Sequence, residues 1–184
     1  LAEHAAGLSQ PRWSPDGKSV AVISRARGWG QIVLVPLGKE PLKQLPEAIT
    51  PSGVDVISYD WHPSGEEVIW EASRDERDGN LVQLTISRTS GDPMERVVAG
   101  TDCLATGGRW LPNGKGIIAA DDRSGFFHVV CLSVDGLRRE IDPVSADDVL
   151  ASNAPDEVPV PSPDGLHVAF LRYETGGCSV QVRR

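Results

Sequence analysis

Four short tetrads, each with proline second and glycine fourth, recur along this chain at nearly even intervals. They read Ser14-Pro15-Asp16-Gly17, His62-Pro63-Ser64-Gly65, Leu111-Pro112-Asn113-Gly114 and Ser162-Pro163-Asp164-Gly165. Their prolines stand 48, 49 and 51 residues apart. A Trp precedes the first three (Trp13, Trp61, Trp110) and Pro161 the fourth, and a short apolar run follows each. Proline presets the backbone angle of a tight turn, and glycine takes positive φ without strain. Each tetrad therefore predicts the bend of a β-hairpin.

Between the bends the pattern is that of strands. In the first unit Leu8–Trp13 enters the bend, Ser19–Ser24 leaves it, Gln31–Leu37 follows a glycine-rich loop, and Leu42–Leu45 makes a short fourth strand. The second unit alternates Ile57, Tyr59 and Trp61 with Ser58 and Asp60, a period of two. Glu67–Ser73, Leu81–Ser87 and Met94–Val98 complete it. The third offers Thr106–Trp110, Gly116–Ala120, Phe127–Val134 and Leu137–Ile141. The fourth offers Val158–Pro161, His167–Tyr173 and Ser179–Arg183, without a fourth strand. Only Val144–Asn153, confined by Pro143 and Pro155, has room for a helical turn. Repeats of roughly 40–50 residues built of strands alone are propeller blades. The expected fold is all-β: a partial β-propeller, one domain over 1–184, with repeats at about 8–50, 57–100, 105–143 and 157–184. Near-continuous apolar second strands such as Gly116–Ala120 fit burial on both faces, between neighbouring blades. A closed ring typically needs about four to eight blades, so the chain reads as about half of a larger propeller with uncovered end faces.

Composition narrows the function. A formal charge of −8 opposes a nucleic-acid or anionic-membrane partner, since both require a basic face. No apolar run approaches the roughly 20 residues of a bilayer span. Cys103, Cys131 and Cys178 are isolated and odd in number, which reads as small packed residues in a reducing compartment rather than a zinc site. His4, His62, His128 and His167 lack metal-ligand spacing. The acidic run Asp75-Glu76-Arg77-Asp78-Gly79-Asn80 lacks the alternation of a calcium loop and reads as a solvated connection. No metal and no cofactor is expected.

Two segments admit a second reading. Asp121-Asp122-Arg123 is turn chemistry with Arg123 pairing a carboxylate, or it places Arg123 on a rim that docks a catalytic domain or a peptide carboxylate. Trp29, Phe126 and Phe127, beside glycines, either pack on the adjacent blade or form a recognition patch. These four residues are the candidate partner contacts.

The segments Pro11–Val22 and Ser162–Phe170 resemble the W-S-P-D-G-x-x-[apolar]-A-[apolar] repeat. That repeat occurs in the propellers of prolyl-oligopeptidase-family serine peptidases and of TolB-like periplasmic proteins. Asp122-Arg123-Ser124-Gly125-Phe126-Phe127 is similar to the loop of the acylaminoacyl-peptidase and dipeptidyl-aminopeptidase branch, and Ser24–Ile32 stands between the two families. The His62 and Leu111 tetrads depart from the repeat but keep its Pro and Gly. The resemblance covers the chain from about Gln10 onward.

In the peptidase family the nucleophile stands in a separate α/β-hydrolase domain on a G-x-S-x-G elbow. The nearest string here, Gly7-Leu8-Ser9-Gln10-Pro11, lacks the final glycine and precedes a strand, so no catalytic residue is assigned. The resemblance implies a non-catalytic propeller that gates short peptides into a hydrolase domain outside this chain. That domain would be its partner, peptides its indirect substrate and the cytoplasm its compartment. The alternative is a TolB-like module, periplasmic, that binds a protein partner. A sialidase-type propeller fails because its S-x-D-x-G-x-x-W box places glycine one residue later than Ser14–Gly17 does.

Overall fold

The computed structural model describes residues 7–38, 46–73, 82–90, 95–101, 103–133, 138–139 and 156–184. Among them every regular element is a strand, in four antiparallel sheets that follow one another along the chain. Blade 1 holds β1 (Leu8–Trp13), β2 (Ser19–Ser24) and β3 (Gln31–Pro36). Blade 2 holds β4 (Asp55–Trp61), β5 (Glu67–Ser73), β6 (Val82–Arg88) and β7 (Glu95–Ala99). Blade 3 holds β8 (Ala105–Trp110), β9 (Gly116–Asp121), β10 (His128–Ser133) and the two-residue β11 (Arg138–Arg139). Blade 4 holds β12 (Asp156–Pro161), β13 (Val168–Glu174) and β14 (Gly177–Arg183). Each sheet pairs strands in sequence order, and among the described residues no ladder crosses from one sheet to another.

The four tetrads fold alike. In each, the glycine N–H donates to the carbonyl of the first residue (Gly17 to Ser14, Gly65 to His62, Gly114 to Leu111, Gly165 to Ser162) at 2.8–2.9 Å. The glycine φ values are 71°, 78°, 68° and 70°. The third residue, whichever of Asp, Ser or Asn it is, accepts the N–H two residues on. Asp16 takes Lys18 at 3.0 Å, Ser64 takes Glu66 at 3.2 Å, Asn113 takes Lys115 at 2.9 Å and Asp164 takes Leu166 at 3.0 Å. The short polar side chain supplies a local acceptor that a longer one would misplace. The hydrogen bonds also hold the Asp16 carboxyl below its ordinary pKa, Ser14 first and the Lys18 N–H second.

Most strand limits follow the hydrophobic pattern, and two differ for long-range or turn reasons. β12 starts at Asp156, two residues early, because Asp156 N–H is held by Phe127 O at 2.8 Å. β14 starts at Gly177 because Thr175 and Gly176 close a two-residue turn, with Gly176 at φ 111°. The expected strand Leu42–Leu45, the acidic run 75–80 and the segment Val144–Asn153 lie outside the described residues. Beside β3 the described chain shows one bridge, Val33 to Ala48.

The core lies between the sheets. Ala21, Ile23 and Ile32 of blade 1 close on Val56, Tyr59, Val68 and Trp70 of blade 2. Ile69, Leu84 and Ile86 of blade 2 close on Trp110, Ile117, Ala119 and Val130 of blade 3. Alternate residues of a second strand thus serve opposite neighbours, and all six residues of β9 are buried. Burying each large aliphatic side chain contributes about 1.5–3 kcal/mol, so the blades hold one another together rather than standing alone.

The sheets converge at their first strands. β1, β4, β8 and β12 each carry one register irregularity, between Ser9 and Arg12, Val56 and Ser58, Thr106 and Arg109, and Glu157 and Val160. In three of them the backbone turns left-handed at the same place: Gln10 at φ 51°, Gly107 at φ 67° and Val158 at φ 53°. A β-branched residue there is held against a cost of about 1–2 kcal/mol. The bulge redirects backbone groups toward the next sheet. Tyr59 Oη stands 2.7 Å from Gln10 O and 2.8 Å from Ala21 O, and Gln10 Nε2 donates to Ile57 O at 2.6 Å.

Candidate functional site

The candidate partner contacts stand on equivalent loops between second and third strands, Trp29 in blade 1 and Arg123, Phe126 and Phe127 in blade 3. The β2–β3 loop closes with Gly28 N–H on Arg25 O at 3.0 Å, and the β9–β10 loop with Gly125 N–H on Asp122 O at 2.8 Å. Gly28 and Gly125 both have positive φ, 89° and 98°. The residue after each glycine is the aromatic: Trp29 is 48% exposed and Phe126 45%. The next carbonyl then anchors the following blade, Gly30 O accepting Val56 N–H and Phe127 O accepting Asp156 N–H, both at 2.8 Å. Phe127 is accordingly half-buried while Trp29 and Phe126 face solvent. Equivalent turns thus present an aromatic ring at equivalent places in blades 1 and 3.

The same loops are pinned by carboxylates. Asp55 Oδ1 accepts both Arg25 Nη1 at 2.7 Å and Gly30 N–H at 2.8 Å. Burial opposes ionisation of Asp55, but Arg25 and the Gly30 N–H outweigh it and hold the carboxyl below its ordinary pKa. A Cβ on residue 30 would lie 2.6 Å from Val56 O, so glycine is required there. In the other loop Asp122 Oδ1 takes Leu104 N–H at 2.8 Å. Arg123 donates its N–H to Asp121 Oδ1 at 3.4 Å and reaches Cys103 Sγ at 3.9 Å, so turn chemistry accounts for much of this residue.

Polar side chains of a second group, which sequence reading did not single out, link the inner strands. Glu71 stands in the buried run Val68-Ile69-Trp70-Glu71-Ala72 and is 7% exposed. Its carboxylate accepts Ser58 Oγ at 3.0 Å in its own blade, then Thr106 Oγ1 at 2.7 Å and Gly107 N–H at 3.0 Å in blade 3. Asp60 spans three blades, with Oδ1 3.4 Å from Arg12 Nη1 of blade 1 and Oδ2 accepting Trp110 N–H of blade 3 at 3.0 Å. Burial raises the Asp60 pKa despite these partners. A charge inside an otherwise apolar strand was the available signal for Glu71. For Asp60 the signal was its fixed offset from the turn, shared with Arg12 and Arg109.

The remaining candidates are not brought together. His62 belongs to its turn: Nδ1 accepts Ser64 N–H at 3.0 Å, which leaves Nε2–H to donate to Gly114 O at 3.1 Å. Its ring meets Trp110 edge-on at 4.5 Å. His128 opens β10, His167 precedes β13 and Ser9 stands in β1, on separate parts of the fold. His4 lies outside the described residues. Cys103 is buried, Cys131 half-buried and Cys178 exposed, and the three form no disulfide with one another. Among the described residues no three His, Cys, Asp or Glu side chains are grouped to hold a metal, and no helix is long and apolar enough to cross a membrane.

No family model matches the chain, and no curated protein is a significant match to it. Solved structures do match in fold. TolB from Acinetobacter baumannii superposes with TM-score 0.71 at 19% identity over 96% of this chain and 41% of that one. A putative TolB from Agrobacterium tumefaciens gives 0.68 at 18% identity, over 97% of this chain and 77% of that one. A puromycin-hydrolyzing peptidase from Mycobacterium tuberculosis gives 0.75 at 15% identity, over 96% of this chain and 28% of its own length. The chain thus spans well under half of the first of these TolB proteins and of the peptidase. Four sheets meeting at bulged first strands, and superposing on TolB and peptidase structures alike, identify the chain as part of a β-propeller.

Proposed function

We propose that this chain is the non-catalytic propeller portion of a serine peptidase that acts on short peptides. Its four repeats, 8–50, 57–100, 105–143 and 157–184, act as one partial domain that limits access to an α/β-hydrolase domain encoded elsewhere in the polypeptide. The observation that carries this reading is the pair of β2–β3 and β9–β10 loops, where equivalent turns hold Trp29 and Phe126 half in solvent. Exposed aromatics on rigid, hydrogen-bonded turns suit the docking of a neighbouring domain, since large rings contribute much contact area at low entropy cost. Arg123, Trp29, Phe126 and Phe127 are the contacts in this proposal. The Asp122–Phe127 loop, similar to that of the acylaminoacyl-peptidase branch, favours the peptidase over other propellers, and with it a cytoplasmic setting.

A TolB-type interaction module, placed in the periplasm and binding a protein partner, is the second reading. It is favoured by superposition on two TolB structures at levels close to the peptidase match. The test is the complete polypeptide. Hydrolysis of short blocked peptides but not of folded proteins, abolished by replacing the serine of a G-x-S-x-G elbow outside this chain, supports the peptidase. A full polypeptide that contains no such elbow and hydrolyses no peptide overturns it in favour of the binding module. In the peptidase, the pair Trp29→Ala and Phe126→Ala is expected to weaken the barrier to larger substrates while leaving the unfolding temperature nearly unchanged.

A further inference from the structure

Aligning the four tetrads puts Arg12, Asp60, Arg109 and Val160 at one position, three residues ahead of the turn proline, on four successive inner strands. Each pairs with the same register point of its own second strand: Arg12 with Ala21, Asp60 with Ile69, Arg109 with Ile118, Val160 with Ala169. All four therefore lie on the face directed to the following blade, at its inner edge. The charges alternate along the row, and the first three blades use that alternation. Arg12 meets Asp60 at 3.4 Å, and Asp60 in turn holds the Trp110 N–H next to Arg109.

At the fourth blade the alternation stops. Val160 stands where a carboxylate would follow. The Arg109 side chain is thereby left with one hydrogen bond among the described residues, Nη1–H to Gly108 O at 2.9 Å. A guanidinium carries five N–H donors. Asp60 and Glu71 act on Arg109 through space, while among the described residues their hydrogen bonds go to Arg12 and Trp110 N–H, and to Ser58, Thr106 and Gly107 N–H. Burial lowers the Arg109 pKa, as expected of a partly desolvated cation whose compensation is incomplete. A half-buried guanidinium that spends one donor on the protein favours an anion that can accept two parallel hydrogen bonds, and a carboxylate has that shape.

We propose that Arg109 is an anion-binding residue on the inner wall of the propeller, and that its ligand is the C-terminal carboxylate of a short peptide. The anion site stands on the geometry of the row alone; the peptide terminus rests on the peptidase reading. Inside a gating propeller such a residue would retain short acidic-ended fragments and orient them by their ends.

The probes are N-acetyl-trialanine with a free carboxylate and the same tripeptide as its C-terminal amide. Binding to the complete polypeptide is followed by isothermal titration, with thermal unfolding measured on every variant. The acid is expected to bind at least about tenfold more tightly than the amide, the equivalent of one charge-assisted pair. Arg109→Gln is expected to reduce the acid to the level of the amide, and Arg109→Lys to retain part of the preference. Equal binding of acid and amide, or an unchanged preference in Arg109→Gln, overturns the proposal. So does a loss of thermal stability in Arg109→Gln with the preference intact, which is the result for a purely structural tie. Arg109-dependent acid binding by a polypeptide that hydrolyses no peptide would keep the site and remove the peptidase reading.

Discussion

Replacing Glu71 by alanine is expected to loosen blade 2 from blade 3 more than any other single polar change. The carboxylate holds two donors of the neighbouring blade, Thr106 Oγ1 at 2.7 Å and Gly107 N–H at 3.0 Å, from a position 7% exposed. Hydrogen bonds to a charged group are worth about 1.5–3 kcal/mol each, and a buried N–H left without an acceptor costs the desolvation as well. The alanine variant should therefore lose about 3–5 kcal/mol. Glu71→Gln keeps one carbonyl oxygen for Ser58 and Gly107, while its amide can donate to Thr106 Oγ1. It should lose about 1 kcal/mol. Trp110 stands in the core between blades 2 and 3 and Trp70 in the core between blades 1 and 2, so urea unfolding followed by tryptophan fluorescence reports on both faces of blade 2. A double-mutant cycle with Thr106→Val isolates the cross-blade bond, with an expected coupling of about 1 kcal/mol or more. Two results would refute the reasoning: an alanine variant within about 1 kcal/mol of wild type, or glutamine as damaging as alanine.

Gly114→Ala should cost more than Gly17→Ala, although both glycines have φ near 70°. A Cβ at 114 meets His62 Nε2 at 2.5 Å, whereas one at 17 meets nothing within 4 Å. Backbone strain predicts about 1 kcal/mol at either glycine, and the His62 contact should raise the cost at Gly114 to at least about twice that, read from urea midpoints. Tyr59→Phe removes the hydroxyl lying between Gln10 O and Ala21 O and should cost about 1–2 kcal/mol. Burial raises the Tyr59 pKa far above its ordinary value, so its phenolate should be absent from an alkaline difference spectrum until the chain unfolds. Acid should separate Asp55 from Asp60. Asp55 is held below its ordinary 3.8 when folded, so its contribution, present above that pH, is lost as pH falls through the folded value. Asp60 is held above 3.8, so its protonation favours the fold as pH falls. Unfolding temperatures from pH 7 to pH 3 should then fall less steeply in Asp55→Asn than in wild type and more steeply in Asp60→Asn.

What the sequence made legible was local. A hairpin bend needs only Pro, a short polar acceptor and Gly within four residues, so all four tetrads declare themselves, including the His62 and Leu111 copies. The bends in turn fix strand order, because an antiparallel meander follows from consecutive hairpins. The ties between blades were not legible, because they join residues from 25 to 52 positions apart. Arg12 and Asp60 meet only when two bulged strands are set side by side. The early start of β12 depends on Phe127 O, a partner that no periodicity can reveal. Trp29 and Phe126 were legible as candidates from their glycines, but which ring faces solvent follows from the hydrogen bond one residue later.

The division between constant and varying positions explains why a fold is easier to read here than a function. Turn residues do one physical job in every blade, so their chemistry repeats, and Asp, Ser and Asn interchange at the third position because each offers a short acceptor. The inner row has no common structural requirement beyond filling the edge of a bulged strand, and it runs Arg, Asp, Arg, Val. Two of the bulges also hold Gln10 and Val158 at positive φ, where glycine would be unstrained, as Gly107 shows at the same place in blade 3. Strain and partly buried charge thus meet on the inner strands, while the tetrads stay locally consistent. Substitutions in the tetrads, and at Asp60 with its ties to blades 1 and 3, should therefore move stability, whereas a substitution at Arg109 should move what the propeller admits or holds. That separation makes Arg109, rather than any turn residue, the position at which a change in ligand preference can be expected without a change of fold.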